Sequence, residues 1–216
     1  MSRADGAAPL IAVLDYGIGN LRSAEKALQH VGADARLTRD AGLVRDADAV
    51  VLPGVGAFGA CMDAFRSAGL EDATRAAVDS GRPFLGICVG MQMLFSASEE
   101  DPSARGLGII PGTVRWIPPG VKRPQMQWNQ LQLRRPDDPI FDGLRDAAPW
   151  MYFVHSLHGV PDRADAVAAT TEYGSVLNVV FRCDNVVATQ FHPEKSAQDG
   201  LRLLENFTRI ASGVLS

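Results

Sequence analysis

Through the N-terminal half of this chain, short apolar runs alternate with stretches of helical period, and that alternation constrains the fold more than any single residue. Leu10-Ile11-Ala12-Val13-Leu14-Asp15 is a strand-length apolar run that ends at Gly17-Ile18-Gly19-Asn20. Asn20 can cap a helix, and Leu21, Ala24, Leu28 and Val31 then recur at helical spacing. Ala35 to Thr38 and Ala49-Val50-Val51-Leu52 read as two further strands, the second closed by Pro53-Gly54-Val55-Gly56. Helical patterns run from Phe58 to Ala68 and from Leu70 to Ser80, and Pro83-Phe84-Leu85-Gly86-Ile87 is the next strand. Strands alternating with helices predict a parallel sheet with right-handed crossovers.

After Phe95 the pattern changes. Gly106 to Ile117 and Pro124 to Leu133 carry Gly/Pro punctuation and β-branched residues, which favours strands or loops over helices. Met151 to His155, Ala166 to Thr171, Val176 to Cys183 and Val186 to Phe191 continue the β pattern, with Asp184-Asn185 as a hairpin turn. A closing helix is expected from Ala197 to Ile210. The predicted architecture is a single α/β domain over residues 10–212, with a mixed, mainly parallel central sheet flanked by helices. Residues 1–9, with no apolar core after Arg3, read as a flexible tail rather than a signal peptide.

Composition narrows the function classes. The 216 residues are 46% hydrophobic and 21% charged, with a formal net charge of −4. No Lys/Arg cluster is present, which argues against nucleic acid or an anionic membrane as partner. No apolar run approaches the ~20 residues that span a bilayer. Cys61, Cys88 and Cys183 are widely spaced and odd in number, a pattern that fits neither a disulfide framework nor a zinc site. Free thiols in a reducing cytoplasm are the expectation, with no metal site.

One of those thiols is placed for chemistry. Cys88 lies between Gly86 and Gly90 where the apolar run ends and a helix from Val89 to Phe95 is expected to begin. A nucleophile on a sharp strand-to-helix turn is held exposed and strained, and the helix N-terminus favours thiolate. Downstream, His192 and Glu194 are two apart and share a side of an extended segment stiffened by Pro193. Such a pair can orient an imidazole so that one nitrogen is free to take a proton from a nucleophile. Both Cys88 and this pair follow predicted strands, so one carboxyl edge of a sheet can bring them together. The oxyanion of an attacked carbonyl needs backbone donors. Pro53-Gly54-Val55-Gly56, on a neighbouring strand, and the amide of Val89 are the candidates. Read singly, each of these residues also fits an ordinary core thiol, loop histidine, surface carboxylate or turn.

Together, Gly86-Ile87-Cys88-Val89-Gly90-Met91-Gln92, Pro53-Gly54-Val55-Gly56 and His192-Pro193-Glu194 resemble the class I, triad-type glutamine amidotransferases. Within that family, the blocks Asp15 to Leu21, Met126-x-Trp128-Asn129, Tyr152 to Ser156 and His192 to Ser196 look like the glutaminase subunits of imidazole glycerol phosphate synthases, which serve histidine biosynthesis. The resemblance runs from about Leu10 to Ile210. It implies Cys88 as nucleophile, His192 as general base and acid, and Glu194 as orienting carboxylate. It implies Gly54, Val55 and Gly56 as the oxyanion strand, and Gln92, Ser156 and Leu157 as substrate contacts. Asn20, Met126, Trp128, Asn129, Tyr152 and Lys195 match positions near the ammonia exit that face a partner. That partner is a (βα)₈-barrel cyclase, in a heterodimer, which adds the ammonia to a phosphoribosyl-formimino carboxamide ribonucleotide. The products are imidazole glycerol phosphate and an aminoimidazole carboxamide ribonucleotide, and no cofactor is implied.

Two positions depart from the pattern. Gln127 stands where glycine is usual, which brings bulk and removes an easy positive φ. Leu157 stands where an aromatic residue is common. Three other readings stay open on sequence: the glutaminase of another class I complex, a non-catalytic binding protein that kept the fold, and a cysteine hydrolase of peptides, which would show an open groove instead of a pocket for free glutamine.

Overall fold

The computed structural model describes residues 7–19, 21–144 and 148–215. The chain runs β1 (Leu10–Leu14), α1 (Leu21–His30), β2 (Asp34–Thr38), α2 (Ala41–Asp46), β3 (Ala49–Gly54), α3 (Phe58–Ser67), α4 (Glu71–Asp79), β4 (Phe84–Cys88) and α5 (Val89–Met93). It continues with β5 (Phe95–Ser98), β6 (Ile110–Trp116), β7 (Gln125–Gln130), β8 (Gln132–Leu133), β9 (Trp150–His155), β10 (Leu157–Pro161), β11 (Val167–Glu172), β12 (Val176–Cys183), β13 (Val186–Thr189) and α6 (Ala197–Ala211).

Among these residues an eight-stranded sheet has the order β2-β1-β3-β4-β13-β12-β11-β8. Its first five strands are parallel, and from β13 outward the pairing is antiparallel. The expected mixed, mainly parallel sheet is therefore present. β1, β3, β4 and β13 are buried along their whole length, as befits central strands covered on both faces. From β1 the chain crosses outward to β2 and then back past β1 to β3, so right-handed crossovers put α1 on one face and α2, α3 and α4 on the other. α6 packs beside α1 and buries Leu203, Leu204 and Phe207. No described helix is long and apolar enough to cross a membrane.

The Gly106-to-Ile117 and Pro124-to-Leu133 segments contain strands, in line with the strand-or-loop reading. β5, β6 and β10 form a separate three-stranded sheet, and β7 with β9 forms a two-stranded ribbon. The helix after Cys88 stops at Met93 instead of Phe95. The carbonyls of Met93, Leu94 and Phe95 accept from the amides of Leu107, Ile110 and Gly108, so a longer helix loses its acceptors to that segment. Finally, α2 fills a stretch given no element on sequence; Asp40 caps it by accepting from the Gly42 amide at 2.7 Å. Of the expected N-terminal tail, residues 1–6 lie outside the described residues. Within the rest, the Pro9 carbonyl already accepts from the Asp34 amide.

Candidate active site

Cys88 ends β4 and caps α5 with φ 55° and ψ −116°, a backbone conformation that L-residues with a Cβ adopt only under strain. What permits it is close packing by glycine on both sides. A Cβ on Gly90 would sit inside the van der Waals envelope of the Leu52 carbonyl oxygen. A Cβ on Gly54 would lie 2.6 Å from the Gly90 nitrogen and 2.7 Å from the Tyr16 hydroxyl. The glycines around the turn thus let the elbow press onto β3. Pairing in register sets Gly54 beside Cys88, which brings the candidate oxyanion strand next to the sulfur.

Two donors pin the end of that strand. The Tyr16 hydroxyl donates to the Pro53 carbonyl at 2.8 Å, and the Cys61 thiol to the Val55 carbonyl at 3.3 Å. Burial first, then the neighbouring Cys61 and Cys88, push the Tyr16 hydroxyl far above its ordinary value, so it stays a phenol donor. Burial likewise raises the thiols of Cys61 and Cys183, although the Tyr16 hydrogen bond pulls Cys61 the other way.

β13 runs parallel to β4 and delivers His192 and Glu194 at the same edge. His192 Nδ1 donates to Glu194 Oε1 at 2.7 Å, and both side chains are almost wholly buried. Cys88 and His192 border the same cleft, and Cys88 is among the groups that raise the imidazole's pKa. Burial alone would lower the His192 pKa, but hydrogen bonds and charge from Cys88 and Glu194 outweigh it and lift it to about 9. That raised value keeps the imidazole protonated near neutral pH, a positive charge on the cleft that Cys88 also borders.

The sulfur opens into a cleft of about 470 Å³. Val55, Gly56, Val89, Gln92, Ser156, Leu157, His192 and Lys195 all border it, so the candidate substrate residues converge. Gly54 lies just behind, on a narrow gap shared with Val55, Glu194 and Lys195. Asn20 lies outside the described residues.

The candidate partner residues are divided. On β7, Met126 and Trp128 are 62% and 43% exposed, and the Trp128 ring lies 5.9 Å from that of Tyr152 on β9. Lys195 is also exposed. Asn129, one residue on from Trp128, falls on the opposite face of the ribbon. Its Oδ1 accepts from Gln125 and Gln127, and its Nδ2 donates to the Glu172 carbonyl at 2.9 Å, which ties the ribbon to β11. Gln127 pairs with Phe153 in a regular antiparallel register and has no positive φ, so no glycine is required there.

Tyr152 links this ribbon to the triad. Its carbonyl accepts from the His192 amide at 3.3 Å, and its amide donates to Ser196 Oγ at 3.0 Å. Ser196 Oγ in turn donates to the His192 carbonyl at 2.6 Å.

Three residues escaped the sequence reading. Trp150, 49% exposed, joins the outer face of the ribbon two residues before Tyr152. His155 borders the cleft with its Nδ1 against the Leu157 carbonyl at 2.6 Å and its Nε2 buried without a partner. Burial holds its pKa down to about 4, so it stays neutral. Gln190 is fully buried, with its amide nitrogen 3.9 Å from the Cys88 sulfur. A stride of two back from His192 and from Tyr152 points to Gln190 and Trp150.

Comparison with known proteins agrees with this geometry. The family model described as glutamine amidotransferase class-I matches residues 12–211. The chain is 50% identical over 205 residues to a protein of Syntrophotalea carbinolica named imidazole glycerol phosphate synthase subunit HisH, covering 92% of this chain and 98% of that one. It is 49% identical to the protein of the same name from Synechococcus elongatus, covering 96% of each. A crystal structure of a glutamine amidotransferase superposes with a TM-score of 0.73 at 24% identity, over 94% of this chain and 98% of that one, a likeness of fold. With the model spanning nearly all of the chain and half of the residues shared with these relatives, the chain belongs to the class-I glutamine amidotransferase family.

Proposed function

We propose that this chain is the glutaminase subunit of an imidazole glycerol phosphate synthase. It hydrolyses glutamine to glutamate and ammonia, and a barrel-shaped cyclase docked on the β7–β9 ribbon consumes the ammonia. One observation carries the chemistry: a strained Cys88 shares a cleft with an imidazole that Glu194 holds by Nδ1 at 2.7 Å. Half-identity to relatives bearing the synthase subunit name supports the pathway, and the exposed Met126, Trp128 and Trp150 support the docking face.

In this reading the Cys88 thiolate attacks the δ-carbonyl of glutamine, forming a carbon–sulfur bond. The amides of Val55 and Val89 hold the oxyanion. His192 Nε2 gives its proton to the leaving nitrogen as the carbon–nitrogen bond breaks, and ammonia departs past Lys195. The neutral imidazole then takes a proton from water, which attacks the γ-glutamyl thioester and returns glutamate and the thiolate. Gln92, Ser156 and Leu157 hold the amino-acid end of the substrate. Cysteine and histidine suffice for these steps, so no metal or organic cofactor is proposed. The three cysteines are free, which suits a reducing cytoplasm.

The test is glutamate release from the chain alone, with a cyclase subunit, and with cyclase plus acceptor nucleotide. Turnover is expected to rise at each step. Equal turnover in all three would sink partner-gated catalysis, and activation by the cyclase of a different class I pathway would reassign the chain.

A further inference from the structure

We propose that Gln190 is a fourth member of the catalytic group, a neutral donor that holds the Cys88 thiolate ready for attack. Gln190 has no exposed surface and lies 102 residues from Cys88 in sequence, yet its Nε2 reaches the sulfur at 3.9 Å. Its orientation is fixed from the other end, because Gln92 Nε2 donates to Gln190 Oε1 at 3.1 Å. With its oxygen occupied by a donor, the amide can only present N–H to the sulfur. With Gln92 as printed, flipping the Gln190 amide alone would set two N–H groups against each other and an oxygen against a thiolate, so the chain Gln92 → Gln190 → Cys88 is the direction that suits a negative sulfur.

The charge on the sulfur makes this contact matter. In a buried site a thiolate is costly unless donors replace water. His192 is one such donor, but it must surrender its proton to the leaving group during turnover. Gln190 keeps its proton throughout. It therefore supports the negative sulfur beside the imidazolium before attack and again when the thioester is cleaved, and it stays a donor while the imidazole gives up and regains its proton. At 3.9 Å the contact is long, as catalytic hydrogen bonds in unliganded sites often are, and it shortens as charge develops. Gln92 borders the substrate cleft. A ligand that engages Gln92 thereby acts on the orientation of the group touching the nucleophile.

This inference concerns the thiol itself and is tested without glutamine or partner, so its outcome is separable from the proposed function. The measurement is the pH dependence of Cys88 alkylation by iodoacetamide, read on the Cys88 peptide by mass spectrometry so that Cys61 and Cys183 do not contribute. Gln190→Met keeps the length and removes the donor; Gln190→Glu keeps the shape and replaces the donor with an acceptor. Both are expected to move the alkylation midpoint to higher pH, by about one unit in Gln190→Met and further in Gln190→Glu, with a roughly tenfold slower reaction at neutral pH. A midpoint that stays in place or moves down in folded Gln190→Met overturns the proposal, because a merely space-filling amide predicts no shift. Should the Gln190 variants fail to fold, Gln92→Leu decides the question. It leaves Gln190 in place but frees its amide to rotate, and is expected to shift the midpoint in the same direction by a smaller amount; no shift there overturns the proposal equally.

Discussion

Cys88 sits where its own backbone resists it, and the resistance is overcome by neighbours that have no side chain. Gly90→Ala drives a methyl into the Leu52 carbonyl, so a loss of about 1–3 kcal/mol is expected in denaturant unfolding. Unchanged stability would mean that the elbow can retreat from β3. Cys88→Ala leaves the turn intact and removes only the sulfur; glutamate release is expected to vanish, and persistent release would take Cys88 out of its role. Glu194→Gln keeps the shape of the orienting group but loses its charge. Histidine NMR should then show the His192 pKa falling well below its value of about 9, and turnover dropping by roughly 10³–10⁴-fold, as when a triad carboxylate becomes an amide. A pKa that stays high in this variant would assign the whole shift to Cys88.

Among the elements, the β7–β9 ribbon concentrates the exposed aromatic surface. Trp128→Ala and Met126→Ala are expected to change folding stability by no more than about 0.5 kcal/mol, since both side chains are open to water. The same changes should weaken cyclase binding by more than about 1 kcal/mol each in titration calorimetry; unaltered affinity would move the docking face elsewhere. The ribbon also marks how far the sequence could be read. Strands β1, β3 and β4 were legible because their apolar runs are bounded by Gly/Pro turns, and His192 and Glu194 because a stride of two needs no knowledge of the fold. Asn129 was placed with Trp128 by resemblance, but pleating turns alternate residues to opposite faces, and only the pairing with β9 shows which face is which. β5, β6 and β10 were blurred for a related reason. Their existence depends on partners distant in sequence, and local propensity is silent on which carbonyls a distant segment will take. Gln190 was hidden because a buried amide has no signature until its neighbour is known to be a nucleophile.

Across the whole molecule, two histidines of the same cleft titrate in opposite senses. His192 has a folded pKa raised from 6.5 to about 9. Its stabilisation is fully present below pH 6.5 and is lost as pH rises through about 9. His155 has a folded pKa lowered from 6.5 to about 4, so its contribution is present above pH 6.5 and is lost as pH falls through about 4. Denaturant unfolding across this range should therefore show slopes on both the acid and the alkaline side. His155→Asn is expected to flatten the acid one and Glu194→Gln the alkaline one; a variant that leaves its slope unaltered would assign that slope to other groups. A last consequence concerns Tyr152, whose ring lies on the outer face of the ribbon while both of its main-chain groups bond the loop that carries His192. Slipping β9 by one residue would turn the ring inward and unhook the base in the same event. A copy of this chain misfolded in that way would lose the proposed docking surface and its catalytic power together, so it would not compete for a partner.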